Sequence, residues 1–331
     1  MKRLKSLLIS WEALLVMLLL ISVVIGSVLS PYFLTGFNFN ALTSNIMEIG
    51  IMALPMTLII IAGEIDLSVA SVLGLASVVL GFLWESGHPL WLAIGVALLV
   101  GFVAGCLNGL LVTKLALPSL VITIGTLALY RGLAYVVLGD QAVSNFPTSF
   151  TNIGFGTIPG TEIPWSSLIF ATLVVIFVVV LHFSWLGRQL YAMGNNKEAA
   201  RFSGINVSRV KLMLFILSGV IAALAGVIFT ARFSSARPDN ALGFELYVVT
   251  VVLLGGINIF GGRGSLLGVV LAIFIVAILQ NMLSLVNISG DIQSLAIGLL
   301  LILSVLGPNI ARRIQVVITR RRLVAGSPQR M

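Results

Sequence analysis

Gly194-Asn195-Asn196-Lys197-Glu198-Ala199-Ala200-Arg201-Phe202-Ser203-Gly204-Ile205-Asn206 is a polar run set between two long apolar ones. Only 9% of the residues in the chain are charged, yet this run and its flanks hold Arg188, Lys197, Glu198, Arg201, Arg209 and Lys211. Such a cluster belongs outside a lipid phase. Asn195 or Asn196 can cap a short helix, and Glu198 then sits where the positive helix end favours a carboxylate. Gly204 can end that helix in a left-handed conformation that other residues resist. The spacing predicts a stubby surface helix, with Ala199 and Ala200 small enough for close approach, presented by two membrane-spanning segments. The alternative is a solvated loop whose charges only set topology.

Composition sets the surroundings. Hydrophobic residues make up 59% of the chain and mean hydropathy is +1.15, whereas a soluble domain carries about a quarter charged residues. The chain is therefore an integral membrane protein built of helices. Its formal charge of +8 does not point to nucleic acid, because the basic residues form no stripe with interleaved aromatics and sit in short gaps between apolar runs. Cys106 is the single cysteine, which excludes a disulfide framework and a thiolate metal site. Lys2, Arg3 and Lys5 before an apolar core mimic a signal peptide. That core, Trp11 to Leu29, is too long and lacks a small-residue cleavage site, so it reads as a retained first span.

A bilayer core needs roughly 20 apolar residues per helical crossing. Runs of that order lie near 11–29, 45–62, 67–84, 89–112, 118–138, 165–183, 211–231, 245–257, 266–286 and 291–306. Ten spans return both termini to one side. Alternating from a cytoplasmic N-terminus, all but three of the 19 basic residues fall on inside segments; the exceptions are Arg131, within the fifth run, and Arg232 and Arg237 on an outside one. A missing or extra span in the middle would destroy that asymmetry.

Two glycine-rich interruptions resemble each other. Gly63-Glu64-Ile65-Asp66-Leu67-Ser68 joins the second run to the third, and Gly255-Gly256-Ile257-Asn258 opens the stretch joining the eighth to the ninth. Ser71-Val72-Leu73-Gly74 likewise parallels Ser265-Leu266-Leu267-Gly268. Paired interruptions in two halves of a chain point to a transport pathway. Gly101, Gly105 and Gly109 recur every fourth residue, a face for close helix packing, while Pro55 and Pro118 mark a kink and a helix start. The outside segment from Gly139 to Pro164 holds Asp140, Glu162 and turn formers but no Lys or Arg; lid, docking surface and linker are all open.

No phosphate-cradling loop, His-Glu-x-x-His, paired-cysteine spacing or Gly-x-Ser-x-Gly elbow occurs, so the sequence predicts no enzyme and no metal or nucleotide bound by this chain. His88 and His182 lie near span ends and suit interfacial placement. Ionisable residues at membrane depth are costly and default to function. Glu48 opens the second run. Glu64 and Asp66 sit at the first interruption, where Asp66 either caps the third span or meets a polar ligand together with Ser68. Arg131 is expected to face the interior and pair with a carboxylate. Arg232, Arg237 and Asp239, kept outside against the topological rule, suggest a carboxylate on a docked protein or the nearby Glu245.

In order along the chain, Gly63-Glu64-Ile65-Asp66-Leu67-Ser68-Val69, Pro118-Ser119-Leu120-Val121-Ile122-Thr123-Ile124-Gly125-Thr126, Tyr130-Arg131-Gly132, Ser203-Gly204-Ile205-Asn206-Val207 and Val252-Leu253-Leu254-Gly255-Gly256 resemble the permease subunits of ribose-type carbohydrate ABC importers. Within that family the chain looks most like rhamnose-type permeases. Ser30-Pro31-Tyr32-Phe33-Leu34, Glu64 in place of a glycine, Val137-Leu138-Gly139-Asp140-Gln141-Ala142 and Ser235-Ala236-Arg237-Pro238 carry that finer likeness. Autoinducer-2 permeases are the near competitor, and ribose or xylose permeases a further one.

The resemblance implies one transmembrane permease domain over 1–331, in the inner membrane with both termini cytoplasmic. It implies assembly with a second permease, most like a heterodimer, with two ABC ATPases that use ATP and Mg, and with an extracytoplasmic sugar-binding protein. Glu198, Ala199, Ala200 and Gly204 match the family's coupling motif and would contact the ATPase. Glu64, Asp66, Ser68, Arg131 and Asn258 become candidates for the substrate pathway. Asp140, Arg232, Arg237 and Asp239, in external loops near 139–164 and 232–244, become candidates for docking the binding protein. Two other classes compete: an ion-coupled carrier relaying through Glu64, Asp66 and Arg131, and a membrane scaffold or receptor without transport.

Overall fold

The computed structural model describes residues 11–306. The terminal charges expected inside, Lys2, Arg3, Lys5, Arg312, Arg313, Arg320, Arg321, Arg322 and Arg330, lie outside the described residues. Within them the fold is helical, with two isolated bridges and no strand. The order is α1 (Trp11–Leu29), α2 (Gly36–Ile61), α3 (Val69–Glu85), α4 (Leu90–Lys114), α5 (Ser119–Leu138), α6 (Thr148–Phe155) and α7 (Trp165–Val178), which a π turn continues to Phe183. Then come α8 (Trp185–Asn195), α9 (Lys197–Phe202), α10 (Val207–Phe233), α11 (Phe244–Leu254), α12 (Leu266–Leu285) and α13 (Gly290–Leu306).

Seven of these helices are long and apolar enough to cross a membrane, and α3, α11 and α13 are shorter apolar helices. All ten apolar runs are thus helical, with one redistribution. The second run is not short: α2 starts at Gly36, where Thr35 accepts from the Asn38 amide, and runs unbroken through Pro55 for 26 residues. The eighth is: α11 has 11 residues, about 16 Å at helical rise, roughly half a bilayer core.

Helix α2 is the axis. It is buried along nearly its whole length, with α7, α8, α10, α11 and α12 packed around it, so it is apolar all round rather than on one stripe. By contrast α1, α5 and α7 bury only a small share of their surface, as lipid-facing helices do. The tightest partnership is α4 with α10. Gly101 and Gly105 abut Gly219 and the Phe215 backbone, and Gly109 abuts Leu212. The every-fourth-residue glycines therefore let two backbones touch, as their spacing predicts.

Two segments expected as external loops are built differently. The 139–164 stretch is no bare linker. It contains α6, packs on α10, and sets Phe146 between Trp84 and Phe150 at centroid distances of 6.2 and 5.5 Å. The 232–244 stretch is re-entrant. Ala236 exchanges backbone hydrogen bonds with Val143 and sits against Gly81; the chain then descends until Asn240 Nδ2 donates to Ser77 Oγ at 3.0 Å. Ser77 lies eight residues short of the α3 end at Glu85, about 12 Å inside it. There Arg131 holds the Pro238 and Asn240 carbonyls, and α11 starts four residues after Asn240.

The glycine seam gives a direct test. In Gly105→Ala the added methyl meets the Phe215 carbonyl, so we expect a loss of about 1–3 kcal/mol, read as a lower thermal midpoint in detergent. Gly125→Ala on α5 points into open space and should be neutral or slightly stabilising, by up to about 1 kcal/mol, because alanine favours a helix interior over glycine.

Candidate functional site

The short surface helix forms as its residues predict. Asn196 caps α9, its Oδ1 accepting from the Glu198 and Ala199 amides at 3.0 Å each. Gly204 leaves the helix with φ +84°, and Asn206 caps α10 by accepting from the Arg209 amide. Ala200 packs inward at 3% exposure, Glu198 and Ala199 face out, and Phe202 stands 93% exposed. A phenylalanine so bare on a polar helix was not anticipated, since its spacing in the sequence did not show which way it would turn.

Beneath α9 three glycine-bearing segments converge. The Gly262 amide donates to the Ile61 carbonyl at 2.9 Å, Gly194 abuts both, and Asn195 Nδ2 donates to the Gly262 carbonyl at 3.3 Å. The two interruptions that resemble each other in sequence therefore meet in space, at the end of the bundle that carries α9. Glu64, 6% exposed, lies in the first of them. Lys197 Nζ, from the first residue of α9, donates to Glu64 Oε1 at 2.7 Å and to the Gly63 carbonyl at 3.2 Å, and Lys211 of α10 pairs with the same carboxylate. Burial pushes the Glu64 carboxyl up, but hydrogen bonds from Lys197, Lys211 and Ser119 outweigh it and hold the group below its ordinary value. With the folded value lowered, the contribution is complete at neutral pH and is lost only as pH falls below the usual carboxylate range.

Two residues further on, Asp66 takes no cationic partner. Its Oδ1 accepts from the Ser68 amide at 3.0 Å and from Ser68 Oγ at 2.6 Å, and its Oδ2 accepts from Ser218 Oγ of α10 at 2.8 Å. Asn108 Nδ2 of α4 donates to Ser68 Oγ at 2.8 Å, and the Tyr130 hydroxyl of α5 donates to Asn108 Oδ1 at 3.1 Å. This buried network ties the start of α3 to α4, α5 and α10, and each member is satisfied.

The remaining candidates fall elsewhere. Arg131 does not pair with a carboxylate; it donates to the carbonyls of Pro238 and Asn240, groups that non-helical backbone leaves unsatisfied, and to that of Ala70 in α3. Asn258 is in the turn beside α9, where its Oδ1 accepts from the Phe260 amide at 3.0 Å. Arg232 is not offered to a docked protein. Its Nε and Nη2 donate to Glu48 at 2.8 and 3.2 Å, and its Nη1 to Asn45. Glu48 is 0% exposed. Asp140 is exposed in the 139–164 segment, and Arg237 pairs with Asp239 at 2.9 Å, both half exposed, in the re-entrant segment. Among the described residues no group of His, Cys, Asp and Glu could hold a metal ion. What the site offers is mechanical linkage: a surface helix ionically tied to the joint between two central helices.

Breaking one side of the buried Glu48–Arg232 pair should be costly. Glu48→Gln strands a charge and is expected to lower stability by about 3–5 kcal/mol, while adding Arg232→Met should recover much of that; thermal unfolding of the purified variants reads both.

Comparison with known proteins places the chain. Residues 38–305 match the family profile described as branched-chain amino acid transport system / permease component. Among curated proteins it is similar to the autoinducer 2 import system permease protein LsrD of Klebsiella pneumoniae, 36% identical over 309 residues, covering 92% of each chain. The protein of the same name from Yersinia enterocolitica is 38% identical over 275 residues, 81% of this chain and 82% of that one. That from Enterobacter sp. strain 638 is 35% identical over 309 residues, 92% and 94%. Comparison with solved structures gives no match. With its apolar helices, its paired interruptions and a match across nearly all described residues, the chain belongs to the branched-chain amino acid transport system permease family, as a multi-pass membrane protein whose work is transport and not catalysis.

Proposed function

We propose that this chain is the membrane-spanning permease of an ATP-driven importer for a small sugar-like solute, and that α9 is where a cytoplasmic ATPase takes hold. The observation that carries this is the pairing of an outward-facing knob, Glu198, Ala199 and Phe202, with an inward tie, Lys197 to Glu64. A soluble partner gripping the knob would pull on the joint between α2 and α3 through that tie. ATP and Mg would be used by the partner. The full assembly would hold a second permease, identical or different, two ATPases and an extracytoplasmic binding protein; Asp140 on the 139–164 segment is a docking candidate that is exposed and, among the described residues, takes no part in an ion pair.

The cell inner membrane, with α9 cytoplasmic, is the placement favoured by the bias of basic residues. The names of the similar proteins favour autoinducer 2 as the solute over rhamnose, which rests on short strings alone, and over ribose or xylose. An ion-coupled carrier is disfavoured by the scatter of its would-be relay: Glu64 is held by two lysines, Asp66 by hydroxyls and Arg131 by carbonyls. A scaffold without transport is disfavoured by the family.

Reconstitution with the ATPase, second permease and binding protein encoded beside it tests the proposal. Uptake of autoinducer 2 or a pentose should require ATP; uptake on a proton or sodium gradient alone would overturn it. Phe202→Ala alters a side chain with little to pack against, so stability should shift by no more than about 0.5 kcal/mol, yet uptake and ATPase retention should drop. Glu64→Gln should leave ATP hydrolysis running while uptake falls by about tenfold or more, the loss expected from a charge-assisted bond. Unchanged transport in both variants would refute the role of α9.

A further inference from the structure

Charges at membrane depth do not face lipid, and non-helical backbone there is tolerated only when buried in protein or lining a water-filled cavity. The re-entrant segment 234–243 breaks both conditions unless something wet or polar covers it. Asn240 reaches Ser77, and Arg131, in the middle of α5, holds Pro238 and Asn240 by their carbonyls. Along this segment and the start of α11, Arg237 and Asp239 keep 51% and 46% of their side chains exposed, Leu242 is 70% exposed, and Glu245 is half-buried. The segment borders a cavity of about 440 Å³ lined by Leu242, Gly243 and Tyr247 and also by Asn45, Gln280 and Asn281.

We infer that the exposed face of this re-entrant segment is one wall of the solute pathway, with the Arg237–Asp239 pair as its hydrogen-bonding contact to an uncharged, polyhydroxylated solute. The inference rests on the transport reading above and adds where the solute passes. The chemistry follows from the charges. Arg131 and Arg237 are balanced by Asp239 and Glu245, so the wall has no net charge to attract an ion. The paired guanidinium and carboxylate keep free N–H groups and lone pairs, which match hydroxyls that both donate and accept. A zwitterionic amino acid would need a cation free for its carboxylate; Arg237 is paired with Asp239, Arg232 beside the cavity is spent on Glu48, and Arg131 is turned to backbone carbonyls.

The test uses the complete transporter in lipid nanodiscs, in a Cys106→Ser background, with one new cysteine at a time and a charged maleimide that reacts only with thiols in water. Leu242→Cys should react readily, whereas Leu129→Cys, 48% exposed in wild type and two residues from Arg131 on α5, should stay unreactive in lipid. Modification at 242 should stop ATP-driven uptake, and ribose, rhamnose or autoinducer 2 at millimolar concentration should slow it where leucine does not. Arg237→Gln and Asp239→Asn should each lower uptake about tenfold to hundredfold, the loss of one charge-assisted bond. The inference fails if Leu242→Cys is as unreactive as Leu129→Cys, if the modified protein still transports, or if leucine alone protects. ATP-driven uptake by the Cys106→Ser background protein, measured first, reports separately on the transport reading.

Discussion

A helix that stops inside a bundle surrounded by lipid leaves carbonyls that only protein can satisfy. In this chain that requirement falls on Ile61, the last residue of the buried axis α2, and it is met by the Gly262 amide at 2.9 Å. Much of the rest follows. Gly262 has φ +74° and Gly261 +85°, so the backbone at the second interruption can fold tightly enough to reach the first. Gly194 has no side chain to hold the α8 end away. With those three segments closed on one another, Lys197 is left beside Glu64, and a surface helix becomes bonded to the centre of the molecule.

Charge within the bundle obeys the same economy. Three of the buried ionic or polar groups lie where backbone or opposite charge needs them: Glu48 with Arg232, Arg131 on the carbonyls of the re-entrant turn, Asp66 among hydroxyls and an amide. Buried groups of this kind fix one arrangement more than they add stability. They sit at the joints between helices, where several packings of apolar surface would otherwise be close in energy.

The sequence made the local features legible and left the long-range ones hidden. The cap of α9, its left-handed exit at Gly204, the start of α5 after Pro118 and the close-packed face of Gly101, Gly105 and Gly109 each depend on residues a few positions apart, and each forms as its spacing predicts. The partners of Arg131 and Arg232 do not. Arg131 reaches Pro238 across more than a hundred residues, and Arg232 reaches Glu48 across 184. A count of basic residues by segment assigned Arg232 to the exterior and could not see a carboxylate on another helix. The descent of 234–243 was invisible for the same reason, since its polar composition is equally that of an external loop.

One consequence concerns stiffness. Helix α10 follows α9 after four intervening residues and ends directly before the descending segment, 27 residues later, a length of about 40 Å. Along it Gly219 lies against Gly101 and Gly105, and Gly226 against Leu73, with no side chains between the backbones to act as springs. A rod braced in this way bends little, so a displacement at its lower tip arrives at its upper tip almost undiminished.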